Sequence, residues 1–398
     1  MRPVFSPLAD LSLSAVSAGF VAVLVGFTSS VAIVFQAATA LGATPAQLAS
    51  WMWALGLGMG LCSALPSLWL RQPVMVAWST PGAAVLATAG VAGGFGMAQA
   101  TGAFIVCALL ITLFGVTGWF ERLLGRIPMP IASALLAGVL TRFGLDAFVA
   151  LNSAFTLVLL MLFAYLVGRR LWARYAVPGV LVVGVAYAAA MDQLHLGTVQ
   201  WGLTLPVFTV PEFTWRATVS LALPLFVVTM ASQNLPGVAA IRAAGYDTLP
   251  ISKVITLTGL ATLVLAPFGA FALNLSAITA AICMGREAHP DPSKRYMAAV
   301  CCGALYCVIG LFGAAVTGLL SAFPRELVAA IAGLALLGSI GGGLAVALRD
   351  DAYREAALIT FLVTLSGVSL AGIGSAFWGV VAGAFALFVQ QWRPRRPA

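Results

Sequence analysis

The sequence predicts an all-α polytopic membrane protein with fourteen transmembrane segments, arranged as two inverted seven-segment repeats. Three observations carry this reading. Of 398 residues, 62% are apolar and only 8% are charged, against about 25% charged in soluble domains. Asp, Glu, Lys and Arg are absent over long runs, including Leu11–Leu70, Gln72–Phe120, Ala217–Ile241 and Val254–Gly285. A short segment of one pattern recurs at the same ordinal place in each half.

A spanning helix needs ~20 apolar residues, so the longest uncharged runs hold more than one span. Gly and Pro mark turns at Gly42-Ala-Thr-Pro45, Arg71-Gln-Pro73 and Gly125-Arg-Ile-Pro128. Division at such points gives spans near 12–40, 46–69, 73–90, 98–119, 127–143, 147–168 and 175–191. The second half gives 217–240, 251–271, 274–285, 296–320, 326–347, 355–372 and 375–392. With the N-terminus inside, 17 of the 20 Lys and Arg residues fall on the inner face, as basic inner loops require. Arg142, Arg216 and Arg325 are left outside. The split falls to 12 against 8 if segments three and ten do not cross, which favours their crossing.

Those two segments are too short for full helices. Ser79-Thr-Pro-Gly-Ala-Ala-Val85 and Ser276-Ala-Ile-Thr-Ala-Ala-Ile282 share Ser, three residues, Ala-Ala and a β-branched residue. They lie 197 positions apart, close to half the chain. Seven segments per half is an odd number, so the second half enters from the opposite face as an inverted repeat. Each half also opens on a polar cluster, Thr28-Ser-Ser30 and Ser232-Gln-Asn234.

Segment three reads as a short strand plus a half-helix. The run Pro73–Trp78 is β-branched or follows Pro and suits extended chain. Ser79 or Thr80 is the N-cap and Pro81 the first helical residue. Segment ten repeats the plan, with Asn274 or Ser276 as cap and a half-helix over 277–285. Extended backbone at membrane depth must be paired, buried in protein or turned to a polar cavity. Two such segments from inverted halves can pair and bring their helix N-termini together. A helix N-terminus carries partial positive charge and free N–H donors. No ionisable residue lies at the centres of spans one, three, eight or ten. The centre therefore suits a small anion. Trp78, Phe35, Phe271 and small residues would add an apolar wall, which points to an aromatic carboxylate. Amides in apolar spans, Gln233, Asn234 and Asn274, mark function.

Ala77-Trp-Ser-Thr-Pro-Gly82 and Asn274-Leu-Ser-Ala-Ile-Thr-Ala-Ala-Ile-Cys283 resemble the BenE family of benzoate/proton symporters. So do Glu287-Ala-His-Pro-Asp-Pro292 and Thr141-Arg-Phe-Gly-Leu-Asp-Ala-Phe148. The resemblance runs over nearly the whole chain. It implies the fold of the nucleobase/ascorbate and sulfate-type anion transporters, with a core domain and a gate domain. The core would be 1–125 and 217–322, the gate 126–195 and 323–398, and 196–216 an outer linker. By position, substrate contacts would come from Trp78, Ser79, Thr80, Ser232, Gln233, Asn234, Asn274, Leu275 and Ser276. Ser29, Ser30, Phe271 and Thr279 would line the site. Nucleobase relatives place carboxylates in spans eight and ten, where this chain has Ser-Gln-Asn and Asn-Leu-Ser. That departure favours an anion over a nucleobase. The family pattern also leads one to expect a His near position 271, where Phe271 stands. Arg142 and Asp146, four apart, are candidates for gating or coupling, or for an ion pair across a helix end.

The function expected is import of benzoate with protons by alternating access. Transport of another organic or inorganic anion, or an anion channel, is the alternative. An enzyme is not expected: a Ser nucleophile would need a His or Lys within reach inside the membrane and both His residues lie in loops, no Asp pair lies in a span, and no phosphate-binding loop occurs. The six Cys show no zinc spacing and no disulfide framework, so neither metal nor cofactor is expected. The partners are a small anionic aromatic substrate, protons and the bilayer, with a second copy of the chain as a candidate and no nucleic acid. The place is a bacterial inner membrane, with both termini cytoplasmic and no cleaved targeting peptide.

Overall fold

The computed structural model describes residues 10–28, 30–123, 129–172, 175–194, 197, 199, 201–286, 288–368, 370 and 375–391. Helix dominates, because in lipid each backbone N–H and C=O must find its partner within the protein. Among the described residues, eight helical stretches are long and apolar enough to cross a membrane.

Helices α1 (Leu13–Thr28) and α2 (Val31–Ala40) form one apolar stretch interrupted at Ser30. Ser30 leaves helical geometry with φ −142°. Helix α3 (Pro45–Leu70) starts on a reciprocal cap between Thr44 and Gln47 and ends at Arg71 with φ 53°. Strand β1 (Val76–Trp78), α4 (Thr80–Gly93), α5 (Met97–Val116) and the short α6 (Trp119–Leu123) follow. Then come α7 (Met129–Val149), α8 (Phe155–Leu171) and α9 (Ala176–Ala190).

The second half opens with α10 (Trp215–Ala217), α11 (Leu223–Thr229) and α12 (Leu235–Ala243), joined by π turns over 218–222 and 230–234. Each π turn lies just before a proline, Pro224 or Pro236. A proline cannot bond the carbonyl four residues back and its ring crowds it, so a widened turn relieves both faults. Next are α13 (Ile251–Leu265), β2 (Leu273–Leu275), α14 (Ile278–Cys283) and α15 (Tyr296–Leu311). The chain ends with α16 (Gly313–Ala322), α17 (Arg325–Ala347), α18 (Asp351–Ser366) and α19 (Ser375–Gln391).

Several boundaries differ from the sequence reading. Helix α7 runs on to Val149 and a 3-10 turn at Ala150–Asn152, since nothing in that stretch stops a helix. Arg142 and Asp146 therefore lie within α7. The run expected at 296–320 is two helices that meet at Phe312, with φ −102° and ψ 27°. The break lets both follow α3: a Cβ on Gly313 would lie 2.7 Å from the Ala49 carbonyl. Helix α14 is six residues, shorter than expected, and its N-cap is Ala277 rather than Asn274 or Ser276, because the Asn274 amide is turned to the Leu275 carbonyl.

The largest apolar core joins α1–α5 with α11–α15 and takes in one side of α7 and α17. A second cluster, with Leu157, Met161, Tyr165, Val180, Leu327 and Ile331, holds α8 and α9 against α17. Helices α3 and α15 touch at backbone distance, where a Cβ on Gly56 would stand 2.5 Å from Gly310 Cα. Close approach through small residues is how helices associate in lipid.

The linker segment 201–214 is irregular and tied by its polar groups. Thr204 N–H donates to the Leu311 carbonyl and Thr209 N–H to that of Pro267, at 2.8 and 2.7 Å. Glu212 N–H donates to the Ala98 carbonyl at 2.9 Å. Its apolar side chains, such as Leu205 and Phe213, are exposed on the outside of the protein.

Candidate substrate cavity

Strands β1 and β2 pair antiparallel, with Val76 opposite Leu275, Ala77 opposite Asn274 and Trp78 opposite Leu273. Ser79 N–H to Ala272 O and Ser276 N–H to Met75 O extend the ladder at 3.1 and 2.9 Å. A two-stranded ribbon leaves two open edges, which inside a membrane protein must be satisfied. Side chains do this. Val76 N–H donates to Ser63 Oγ at 3.0 Å and Val74 N–H to Ser67 Oγ at 2.9 Å, both from α3. On the other edge, Leu273 N–H donates to Thr262 Oγ1 at 3.1 Å and Leu275 N–H to Asn234 Oδ1 at 2.9 Å. Before β2 the chain turns at Gly269, φ 103°, directly under Trp51, where no Cβ would fit.

Ser79 caps α4, accepting from Gly82 N–H at 3.1 Å and from the Thr229 hydroxyl at 2.8 Å. The cap thus fixes α4 to α11. Trp78 donates its indole N–H to Ser30 Oγ at 2.8 Å, and Ser30 donates to the Gly26 carbonyl at 3.0 Å. The break in the first span is held against β1 by this pair of bonds.

Between these elements lies a cavity of about 240 Å³. That is just under the range of about 300–1,000 Å³ usual for drug-sized ligands, which suits a one-ring molecule. One wall is polar. It comes from Ser30, Trp78, Thr80, Ser232, Gln233, Ser276, Thr279 and Tyr306. The contribution of α7 and α17 is Leu136, Leu140, Ala335 and Leu336. It offers carbon only. No Asp, Glu, His, Lys or Arg lines the cavity among the described residues.

Hydrogen-bond accounting sorts the polar wall. Ser30 has spent its proton on Gly26, and Thr279 has spent its own on Ser276 Oγ at 2.7 Å. Ser276 accepts there, so its own proton is free for a ligand. Among the described residues, Thr80, Ser232 and Gln233 have no side-chain partner. Tyr306 has only the Cys302 thiol beside its hydroxyl, a weak acceptor. The cavity therefore presents several uncommitted donors and no anionic acceptor.

The structure separates the sequence candidates into two groups. Trp78, Thr80, Ser232, Gln233, Ser276, Ser30 and Thr279 line the cavity. Ser79, Asn234, Asn274 and Leu275 are fully buried beside it. The Ser79 and Asn234 side chains hold backbone, as described. Asn274 donates to the Leu275 carbonyl at 2.8 Å, and its Oδ1 has no partner. Phe271 packs into an aromatic cluster with Trp51 and Phe104, at centroid distances of 5.5 and 6.0 Å. Ser29 lies outside the described residues. Arg142 and Asp146 are on the exposed side of α7, away from the cavity and with no ion pair between them. The Arg142 guanidinium stands instead beside Gly367, which caps the C-terminus of α18. Sequence reasoning missed Tyr306, Gly26 and the aliphatic wall. A phenol in the uncharged run Tyr296–Pro324 was the one available signal.

The loop after α14 is a built cap. Arg295, 7% exposed, donates to the carbonyls of Met284, His289 and Pro290 at 2.9, 2.8 and 3.4 Å. Tyr246 donates to the Pro292 carbonyl at 2.8 Å. Asp291 accepts from Ser293 N–H and Oγ–H at 2.9 and 2.7 Å, which holds its carboxyl below the usual range. A cation at the C-terminal end of α14 also complements the helix dipole.

Residues 9–389 match the model of the BenE family, described as benzoate membrane transport protein. The chain belongs to the BenE family. It is 49% identical over 366 residues to the inner membrane protein YdcO of Escherichia coli K12, covering 92% of this chain and 93% of that one. It is 40% identical to the benzoate membrane transport protein of Acinetobacter baylyi, over 96% of each chain. In fold, this BenE-family chain is similar to the transmembrane domain of the cyanobacterial bicarbonate transporter BicA. The TM-score is 0.58 at 15% identity, with 95% of both chains covered. SLC26A9 gives a TM-score of 0.53 at 14% identity, over 97% of this chain and 67% of that one.

Proposed function

We propose that this membrane transporter imports benzoate, or a close aromatic carboxylate, together with protons by alternating access. One observation carries the reading: a one-ring cavity is lined by several hydroxyl and amide donors, by no acid among the described residues, and by the aliphatic side chains of Leu136, Leu140 and Leu336. A carboxylate is acceptor-only when ionised, and a ring has no polar demand. Carboxylate against the polar wall and ring against Leu136, Leu140 and Leu336 satisfies both. A midplane Asp or Glu would repel such a substrate, and none lines the cavity among the described residues.

The mechanism follows from which elements supply each wall. The polar wall belongs to the proposed core domain, 1–125 and 217–322, with the α4 N-terminus adding its dipole. The aliphatic wall belongs to the proposed gate domain, 126–195 and 323–398. Carbon makes no directional bond, so the core can carry its cargo past the gate without breaking one. In this reading the chain crosses fourteen times as two inverted repeats, and segments three and ten meet at the β1–β2 ribbon. Both termini lie on the cytoplasmic face of a bacterial inner membrane. The bound form is the ionised carboxylate, which the donors and the α4 dipole favour, and the accompanying proton needs no acid of the cavity, since none lines it among the described residues.

The test is uptake of labelled benzoate into proteoliposomes, with and without an inward proton gradient. Benzoic acid crosses lipid unaided, so protein-free liposomes set the background. Saturable, gradient-stimulated uptake supports the symporter. Gradient-independent saturable uptake removes the proton from the mechanism. No uptake above background by folded protein removes benzoate as the substrate and turns the search to other anions.

A further inference from the structure

We propose that Tyr306 donates a hydrogen bond to the substrate's carboxylate, together with Ser276, and that Gly26 sets the size of this corner; the inference rests on the aromatic-carboxylate reading above. Three elements converge there. Tyr306 comes from α15, is 2% exposed and lines the cavity. Gly26 comes from α1 and faces it. A Cβ on Gly26 would lie 2.8 Å from the Tyr306 hydroxyl oxygen and 2.8 Å from Thr279 Cγ2, of α14. The missing side chain at position 26 thus leaves the Tyr306 hydroxyl open to the cavity.

Donor accounting assigns the corner its ligand. Thr279 commits its proton to Ser276 Oγ at 2.7 Å, which turns the Ser276 proton outward. Among the described residues, the Tyr306 hydroxyl has only the neighbouring Cys302 thiol as a hydrogen-bond partner to give up. Two hydroxyl donors therefore point to one corner. A carboxylate, with two oxygens and about four acceptor sites, is the group that can use both. A phenol is also more acidic than an aliphatic alcohol, with a reference pKa near ~10, and makes the stronger bond to an anion.

The corner is also rigid. Helices α1 and α15 are in backbone contact, where a Cβ on Gly19 would lie 2.8 Å from the Ala298 carbonyl. All four residues sit on elements of the proposed core domain. The corner moves as a unit with its cargo, whereas the gate wall only brushes the ring.

The test compares the dissociation constant for labelled benzoate in purified wild type, Tyr306→Phe and Gly26→Ala, with the thermal unfolding midpoint measured for each. Tyr306→Phe keeps the ring and removes one hydroxyl. It should weaken benzoate about tenfold or more, as loss of a hydrogen bond to a charged group does, with the midpoint unchanged. Gly26→Ala places a methyl where the carboxylate reaches Tyr306, and should weaken benzoate by a similar factor. Wild-type affinity in folded Tyr306→Phe, or in folded Gly26→Ala if the first variant does not fold, overturns the corner and leaves the aromatic-carboxylate reading standing. Wild type that binds no benzoate overturns both.

Discussion

The backbone N–H of Leu275 donates to Asn234 Oδ1 at 2.9 Å, so a side-chain amide from a π turn stands where a third strand would be. Asn234 also donates to Met230 Sδ at 3.2 Å. Both its ends are in use within the protein. Asn234→Leu would orphan a buried N–H, and should cost roughly 1–3 kcal/mol of stability. Unfolding in detergent measures this. A variant as stable as wild type would show that the amide is dispensable to β2.

Gln233 and Asn274 should separate in their effects. Gln233 lines the cavity with no side-chain partner among the described residues, so Gln233→Leu should lower benzoate affinity about tenfold or more and spare the fold. Asn274 is fully buried with Oδ1 unpaired. Its replacement by Leu removes one bond and one orphan, and should change stability by less than about 1 kcal/mol. Equilibrium binding and thermal unfolding on the same two variants check both outcomes. Wild-type affinity in Gln233→Leu would remove it from the site.

Trp78 joins β1 to the break in the first span through its indole N–H and Ser30 Oγ. Trp78→Phe keeps an aromatic body beside Phe27, whose ring centroid is 5.4 Å away, and loses the bond. The expected cost is about 1 kcal/mol. Ser30→Ala should cost a similar amount, and the double variant less than the sum, because both singles break one bond. Strict additivity would show that the two residues act independently.

Gly303 meets α3 so closely that a Cβ would lie 2.6 Å from the Gly60 carbonyl. Gly303→Leu should prevent α3 and α15 from docking. The readout is loss of monodisperse, folded protein in size-exclusion chromatography. A well-folded Leu variant would mean that the two helices can part without unfolding.

Asp291 titrates below the usual carboxylate range because Ser293 donates to it twice. A lowered folded pKa gives stabilisation that is present above the unfolded value and lost as pH falls through the folded one. The difference in unfolding midpoint between wild type and Asp291→Ala should therefore be full near neutrality and shrink below about pH 4. A pH-independent difference would exclude the carboxylate as its source.

The strand-plus-half-helix segments were legible because their signals are local. Pro73, the Val-Met-Val run, Ser79 as cap and Pro81 in the first turn act within one short stretch. The break in the first span was not read: 12–40 was expected as one span, with Thr28-Ser-Ser30 only a polar cluster within it. Neither was the bend at Phe312, since it arises where two helices meet α3 at glycines far off in sequence. Likewise, nothing in Ser232-Gln-Asn234 tells which amide turns inward. The π register before Pro236 and the bond from Leu275 decide that Asn234 serves the strand while Gln233 reaches the cavity.

By itself the sequence determined the membrane class, the scarcity of charge at the centre and the capped start of α4. Each follows from composition or from neighbours along the chain. Only the tertiary structure decided the rest. It placed Tyr306 beside Gly26, drew Phe271 away toward Trp51, and brought Leu136 and Leu336 into the lining with the donors. The first two pairings join residues more than two hundred positions apart, and an aliphatic residue carries no local mark of which surface it will face.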